Sequence, residues 1–129
     1  MQGFIDKAEE SLAGAASELL AQRYNNSANR AYYACFQAAV FALWRAGTPT
    51  PAQGIWSHAF VQAEFAGQLV NRRKLYAPEL REALPRLRDL RVRADYVAGE
   101  VARTAAERAV RRAREFVAAV RERSGQYRG

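Results

Sequence analysis

Few side chains in this sequence have the chemistry for catalysis or ligand capture. His58 is the only histidine and Cys35 the only cysteine. A nucleophile–base arrangement would therefore have only His58 to offer as an imidazole base. One histidine and one cysteine exclude a His-rich or Cys-based metal site within a single chain. No carboxylate recurs at the Glu-x-x-His spacing of di-iron bundles, and no Gly-rich phosphate loop is present. The expectation is that the chain uses no metal and no other cofactor.

Two polar clusters interrupt apolar surroundings. Asn26, Arg30, Tyr33 and Gln37 are spaced by three and four residues, which puts them on one side of a helix. Arg88, Arg91 and Asp95 share a face by the same spacing, with Tyr96 beside them. An Arg buried or half-buried needs a partner, and an Arg30–Asp95 pair between the two helices is expected. The clusters are either a ligand site or a satisfied interhelix network. As a site, Arg30, Tyr33, Gln37, Arg88, Arg91, Asp95 and Tyr96 would contact a ligand. Arg30, Arg91, Asp95, Tyr96 and His58 would be the candidates for catalysis. His58 follows a loop at an expected helix N-terminus, where the dipole favours the neutral ring. It would contact RNA or a nucleotide, or serve as a capping or surface residue. Cys35, among Ala34, Phe36 and Ala38, reads as a buried structural thiol.

The elements that must position these residues are helical. Ala, Leu, Arg and Glu dominate, and alternating β-branched runs are absent. A first helix spans about Gln2 to Gln22, with Ile5, Ala8, Leu12, Ala15, Leu19 and Leu20 recurring at helical spacing. Tyr24-Asn25-Asn26-Ser27 reads as a turn. A central helix runs from about Asn26 to Arg45 and stops at Gly47. It is apolar on most sides, and such a helix is normally buried. Tyr32, Phe36, Val40 and Leu43 make one row, Tyr33, Phe41 and Trp44 another, and Ala31, Ala34, Ala38 and Ala42 a small-residue row. After the loop at Thr48–Gly54, Ser57 caps a shorter helix to about Val70, followed by a basic connector at Asn71–Lys74. A fourth helical region spans Pro78 to Val97, and Pro85 predicts either a kink or a second start there. The last helix opens on a Thr104-x-x-Glu107 capping box and buries Ala106, Ala109, Ala113, Phe116, Val117 and Val120. The tail from Ser124 to Gly129 is expected to fray. Together these predict one all-α domain over 1–129, an up-and-down bundle of four to five helices.

Charge is divided unevenly. Residues 1–67 carry four basic and five acidic side chains, and residues 68–129 carry sixteen and eight. The net +7 therefore lies entirely in the second half. Eighteen of the twenty basic residues are Arg, whose planar fork suits phosphate and base stacking. This face would meet nucleic acid or an acidic partner, or be an ordinary solvated surface. No apolar run approaches the roughly 20 residues that cross a bilayer, so no membrane partner is expected. The lone cysteine and the polar N-terminus fit a cytoplasmic protein.

The stretch Tyr24-x3-Ala28-x-Arg30-Ala31-Tyr32-Tyr33-Ala34-x-Phe36-x-Ala38-Ala39, then His58, then Arg91-x-x-Ala94-Asp95-Tyr96, then an Ala-rich helix ending in Phe116-Val117, resembles HEPN-domain proteins. It resembles in particular the compact stand-alone subgroup with an Arg-Ala-Tyr-Tyr-Ala signature. The resemblance spans about residues 5–121. It implies a helical bundle, often a homodimer, with RNA-linked biology. Many HEPN proteins are metal-independent endoribonucleases that use an Arg-x(4–6)-His motif. Many are encoded beside a minimal nucleotidyltransferase as toxin–antitoxin pairs, and in some the partner modifies a tyrosine after the motif. Here positions 51–53, where His58 would need its Arg, hold Pro51, Ala52 and Gln53. Arg30-x6-Gln37 ends on a residue that does not titrate. The expectation is an RNA- or nucleotide-associated binding module, catalytically weak or inactive, in a toxin–antitoxin or related defence pair. An active endoribonuclease with a variant site and a structural dimerising bundle are the alternatives.

Overall fold

Residues 24–45 contain no acidic side chain, and they form the helix around which the rest of the chain packs. A computed structural model describes residues 2–96 and 99–126. Five α-helices follow in order: α1 (Gln2–Leu20), α2 (Tyr24–Arg45), α3 (His58–Glu64), α4 (Ala83–Tyr96) and α5 (Arg103–Gln126). Among the described residues there is no strand. α3 continues without a break into a π-helical stretch, Phe65–Arg72. Its wide turn spaces the buried Phe65, Leu69 and Val70 by four and five residues, so that all three face inward.

The small-residue row of α2 explains its central place. Ala28, Ala31, Ala34, Cys35, Ala38 and Ala42 are at most 3% exposed, so neighbouring backbones approach closely. α1, α4 and α5 all pack on α2, whereas α4 and α5 touch each other only lightly. The core runs through Phe41, Leu43, Phe65, Leu69, Leu87 and Phe116. Burial of such side chains contributes roughly 1.5–3 kcal/mol each. The Phe65 ring centroid lies 4.9 Å from that of Phe116 and 5.2 Å from that of Tyr76. Within the second aromatic row Phe41 is buried, but Trp44 is 39% exposed.

The turn between α1 and α2 lies earlier than expected. Gln22 adopts φ 63°, its N–H donates to the Leu19 carbonyl at 3.0 Å, and the Arg23 N–H donates to the Glu18 carbonyl at 2.9 Å. That closes α1 in the helix-terminating double bond usually built on glycine. Tyr24 through Ser27 are therefore helical. Their polar side chains fix neighbouring elements instead of capping: Ser27 Oγ donates to the Ala15 carbonyl (2.9 Å), and Asn25 Oδ1 accepts from the Val101 N–H (2.8 Å). α2 ends as expected at Gly47, with φ 93° and N–H bonds from Gly47 to Trp44 and Thr48 to Leu43, both 3.0 Å.

Pro85 falls in the first turn of α4. A 3₁₀ segment, Pro78–Glu82, precedes it, so the region is two helical pieces and no kink is needed. The expected end of this helix at Val97 lies outside the described residues. The Thr104 capping box does not form. α5 starts at Arg103, and the Ala106 N–H donates to the Ala102 carbonyl at 3.0 Å, which leaves Thr104 inside the first turn. Two residues before this start, the Val101 N–H is held by Asn25 Oδ1. α5 runs through Gln126, and positions 127–129 lie outside the described residues.

Candidate functional site

Asn29, Tyr32, Tyr33 and Phe36 repeat at three- and four-residue steps along α2. The first three of them meet residues of α3 and α4. His58 is the first residue of α3, and Ser57 fixes that start by accepting the Phe60 N–H at 3.2 Å. The Tyr32 hydroxyl and His58 Nδ1 are 2.7 Å apart, and their ring centroids 5.7 Å. From α4, the Arg91 guanidinium lies over both tyrosines, 5.4 Å from the Tyr32 centroid and 5.2 Å from that of Tyr33. Such cation–aromatic contacts are worth about 0.5–2 kcal/mol each, more as water is excluded. Asp95 holds Arg91 from the next turn, with Nε to Oδ2 at 3.4 Å. That distance is an ion pair without hydrogen-bond alignment, and Arg91 Nε is buried with no hydrogen-bond partner. Asn29 Nδ2 donates to Asp95 Oδ2 at 3.2 Å.

The protonation states follow from this packing. Burial pushes the Tyr32 phenol up to about 12, against a smaller opposing pull from the Arg91 charge. Burial also lowers the His58 pKa, and the positive charges of Arg88 and Arg91 lower it further, with the Gln62 side chain opposing. At neutral pH the pair is a neutral phenol against a neutral imidazole. If the phenol donates to Nδ1, Nε2 carries the ring proton and is a donor. If Nδ1–H donates, Nε2 is a free base. Burial raises the Cys35 thiol, which has no reactive character.

Five of the expected residues are brought together: Tyr33, His58, Arg88, Arg91 and Asp95. Arg88 takes part through its charge on His58 and Tyr32. The others are elsewhere. Arg30 is exposed and, with Gln37, lines a small cleft against Lys7, Glu10 and Ser11 of α1. The Gln37 amide, oriented with its nitrogen toward Lys7 O (3.0 Å), Tyr33 O (3.1 Å) and Ser11 Oγ (2.8 Å), ties α1 to α2. The expected Arg30–Asp95 pair is therefore absent, and Asn29 and Arg91 take Asp95 instead. One residue step turns a helix by about 100°, enough to move Arg30 to the α1 side while Asn29 faces α4. Tyr96 is 76% exposed and takes no part in the cluster. Asn29 and Tyr32 are the members of the cluster that the sequence does not single out, Tyr32 falling in one row with Phe36, Val40 and Leu43. The polar ends in the Asn29–Tyr32–Tyr33 spacing were the available signal. Among the described residues no group of three or more His, Cys, Asp or Glu side chains comes together as a metal site. No described helix is long and apolar enough to cross a membrane.

The sequence model of the HEPN domain family matches residues 1–123, which takes in all of the cluster above. No curated protein sequence matches the chain.

Proposed function

We propose, on the premise that this chain belongs to the HEPN domain family, that it is an RNA-associated binding module that does not cleave its ligand. It would serve as the HEPN member of a toxin–antitoxin or related defence pair, with a minimal nucleotidyltransferase as a candidate partner and a homodimer as the expected assembly. The observation that carries this reading is Arg91 laid across the Tyr32 and Tyr33 rings beside a neutral His58. Tyr32 is buried beneath Arg91, so the half-buried Tyr33 ring and Arg91 guanidinium are the planes an unstacked RNA base would pack on, and Arg88 and Arg91 supply charge for phosphate. The cluster joins one imidazole to a phenol that keeps its proton. A phenol held in its protonated form is a poor partner for the imidazole in acid–base cleavage near neutrality.

A second reading has one observation in its favour. His58 and Tyr32 share a hydrogen bond next to two arginines, and the tautomer with a free Nε2 would be a base. One experiment separates the two: incubation of the purified chain with labelled tRNA and mRNA in EDTA, beside Arg91→Ala and His58→Ala variants. The expected outcome is intact RNA, with binding that weakens as salt is raised and falls about tenfold or more in Arg91→Ala. Cleavage by the wild type that His58→Ala abolishes would establish a metal-independent endoribonuclease instead.

A further inference from the structure

α4 and α5 lean on α2 more than on each other, and a groove opens between them. Its middle is a cleft of about 300 Å³ with Leu87, Leu90, Ala105 and Ala109 along the bottom. It is continuous, through Leu90, Arg93 and Ala105, with a second cleft of about 260 Å³ that reaches Val101 and Ala102. Arg86 and Arg93 of α4 and Arg108 and Arg112 of α5 line its sides, against Asp89 and Glu100. None of the four arginines makes an ion pair among the described residues. The groove thus pairs a narrow apolar floor, half-exposed at Leu90 and Ala105 above the buried Leu87 and Ala109, with a rim whose four arginines exceed its two carboxylates by +2.

We infer that this groove is the docking site for an acidic amphipathic helix of a partner protein. Such a helix would lay Leu- and Ala-sized side chains on the floor and set its flanking carboxylates against the rim arginines. The Ala105 and Ala109 pair, four residues apart, lets a partner backbone approach closely. The composition of the floor argues against a nucleic-acid track here. The floor has no aromatic side chain for bases to stack on, and its Leu and Ala side chains offer nothing to phosphate. The half-buried Tyr33 ring under Arg91 lies elsewhere, at the tyrosine–histidine cluster. The inference is independent of RNA binding at the Tyr32–His58 cluster.

The test is fluorescence anisotropy with the full chain and three labelled probes. They are an amphipathic helical peptide of about 20 residues with Leu and Ala on one face and Glu flanking it, long enough to hold helical structure, a scrambled peptide of the same composition, and an oligouridine. The variants are Arg86→Glu/Arg112→Glu and the milder Arg93→Gln/Arg108→Gln. The acidic helix is expected to bind the wild type about tenfold or more tightly than the scrambled peptide, and to lose about tenfold or more in the charge-reversal variant. Oligouridine affinity should change by less than about threefold in the same variant. The inference is overturned if the acidic helix does not bind or if the scrambled peptide binds as well. It is overturned equally if oligouridine loses as much affinity as the peptide, which would make the groove a nucleic-acid track. Conversion of a dimer to a monomer by either variant, read by light scattering, would make the occupant a second copy of this chain.

Discussion

A phenol and an imidazole that share a hydrogen bond constrain each other's protonation, and at Tyr32 and His58 the surroundings push both toward neutrality. His58 should therefore titrate below its ordinary value of 6.5. Between the two values the unfolded chain binds more protons than the folded one, so stability rises with pH there and is lost as the solution is acidified through 6.5. A proton NMR titration of the His58 ring reads the folded value directly. Arg88→Ala should move it upward, because one of the two nearby positive charges is gone. A wild-type titration at or above 6.5 would contradict the packing described for the ring. Tyr32→Phe keeps the aromatic face under Arg91 but removes the 2.7 Å bond to His58 Nδ1. Loss of one such bond should cost about 1 kcal/mol in urea denaturation.

At the scale of the element, the turns show how far local patterning can be read. Gly47 closes α2 with positive φ where glycine is expected, and α1 closes in the same geometry on Gln22. A left-handed conformation costs a residue with a Cβ roughly 1–2 kcal/mol, part of which glycine's greater freedom in the unfolded chain offsets. Gln22 is exposed. Gln22→Gly should raise stability by about 0.5–1 kcal/mol, seen as a higher urea midpoint at unchanged slope. An unchanged or lower midpoint would mean that Gln22 contributes contacts beyond its backbone. The same element explains what was legible. Helix interiors follow from spacing, since Ala106, Ala109, Ala113, Phe116, Val117 and Val120 are all buried as their periodicity requires. The start of α2 does not, because nothing local distinguishes an Asn or Ser that caps a helix from one that bonds to a distant carbonyl, as Ser27 does to Ala15. For the same reason Arg91 and Asp95 were readable as a helical pair, whereas the partners Asn29 and Tyr32 depend on how α2 is rotated against α4. That rotation is set by long-range packing.

Across the whole molecule, sixteen of the twenty basic side chains lie in residues 68–129, and they stand in different surroundings. Arg88 and Arg91 act at the tyrosine–histidine cluster, while Arg86, Arg93, Arg108 and Arg112 line the groove between α4 and α5. Arg103 and Arg121 are drawn into ion pairs with Glu107 and Glu9. If RNA binds only at the cluster, its affinity should depend on salt through few phosphates. Each phosphate neutralised on a single strand contributes about −0.7 to the slope of log affinity against log salt. Two arginines at the cluster then predict a slope of about −1.4. A footprint that also took in the four groove arginines would give about −4. Oligouridine binding measured from low to physiological salt distinguishes these values. A slope near the smaller one confines RNA to the cluster and leaves the groove free for an acidic helix. A slope near the larger one joins the two basic sites into a single RNA surface, and then Arg86→Glu/Arg112→Glu should flatten it by about two phosphates' worth.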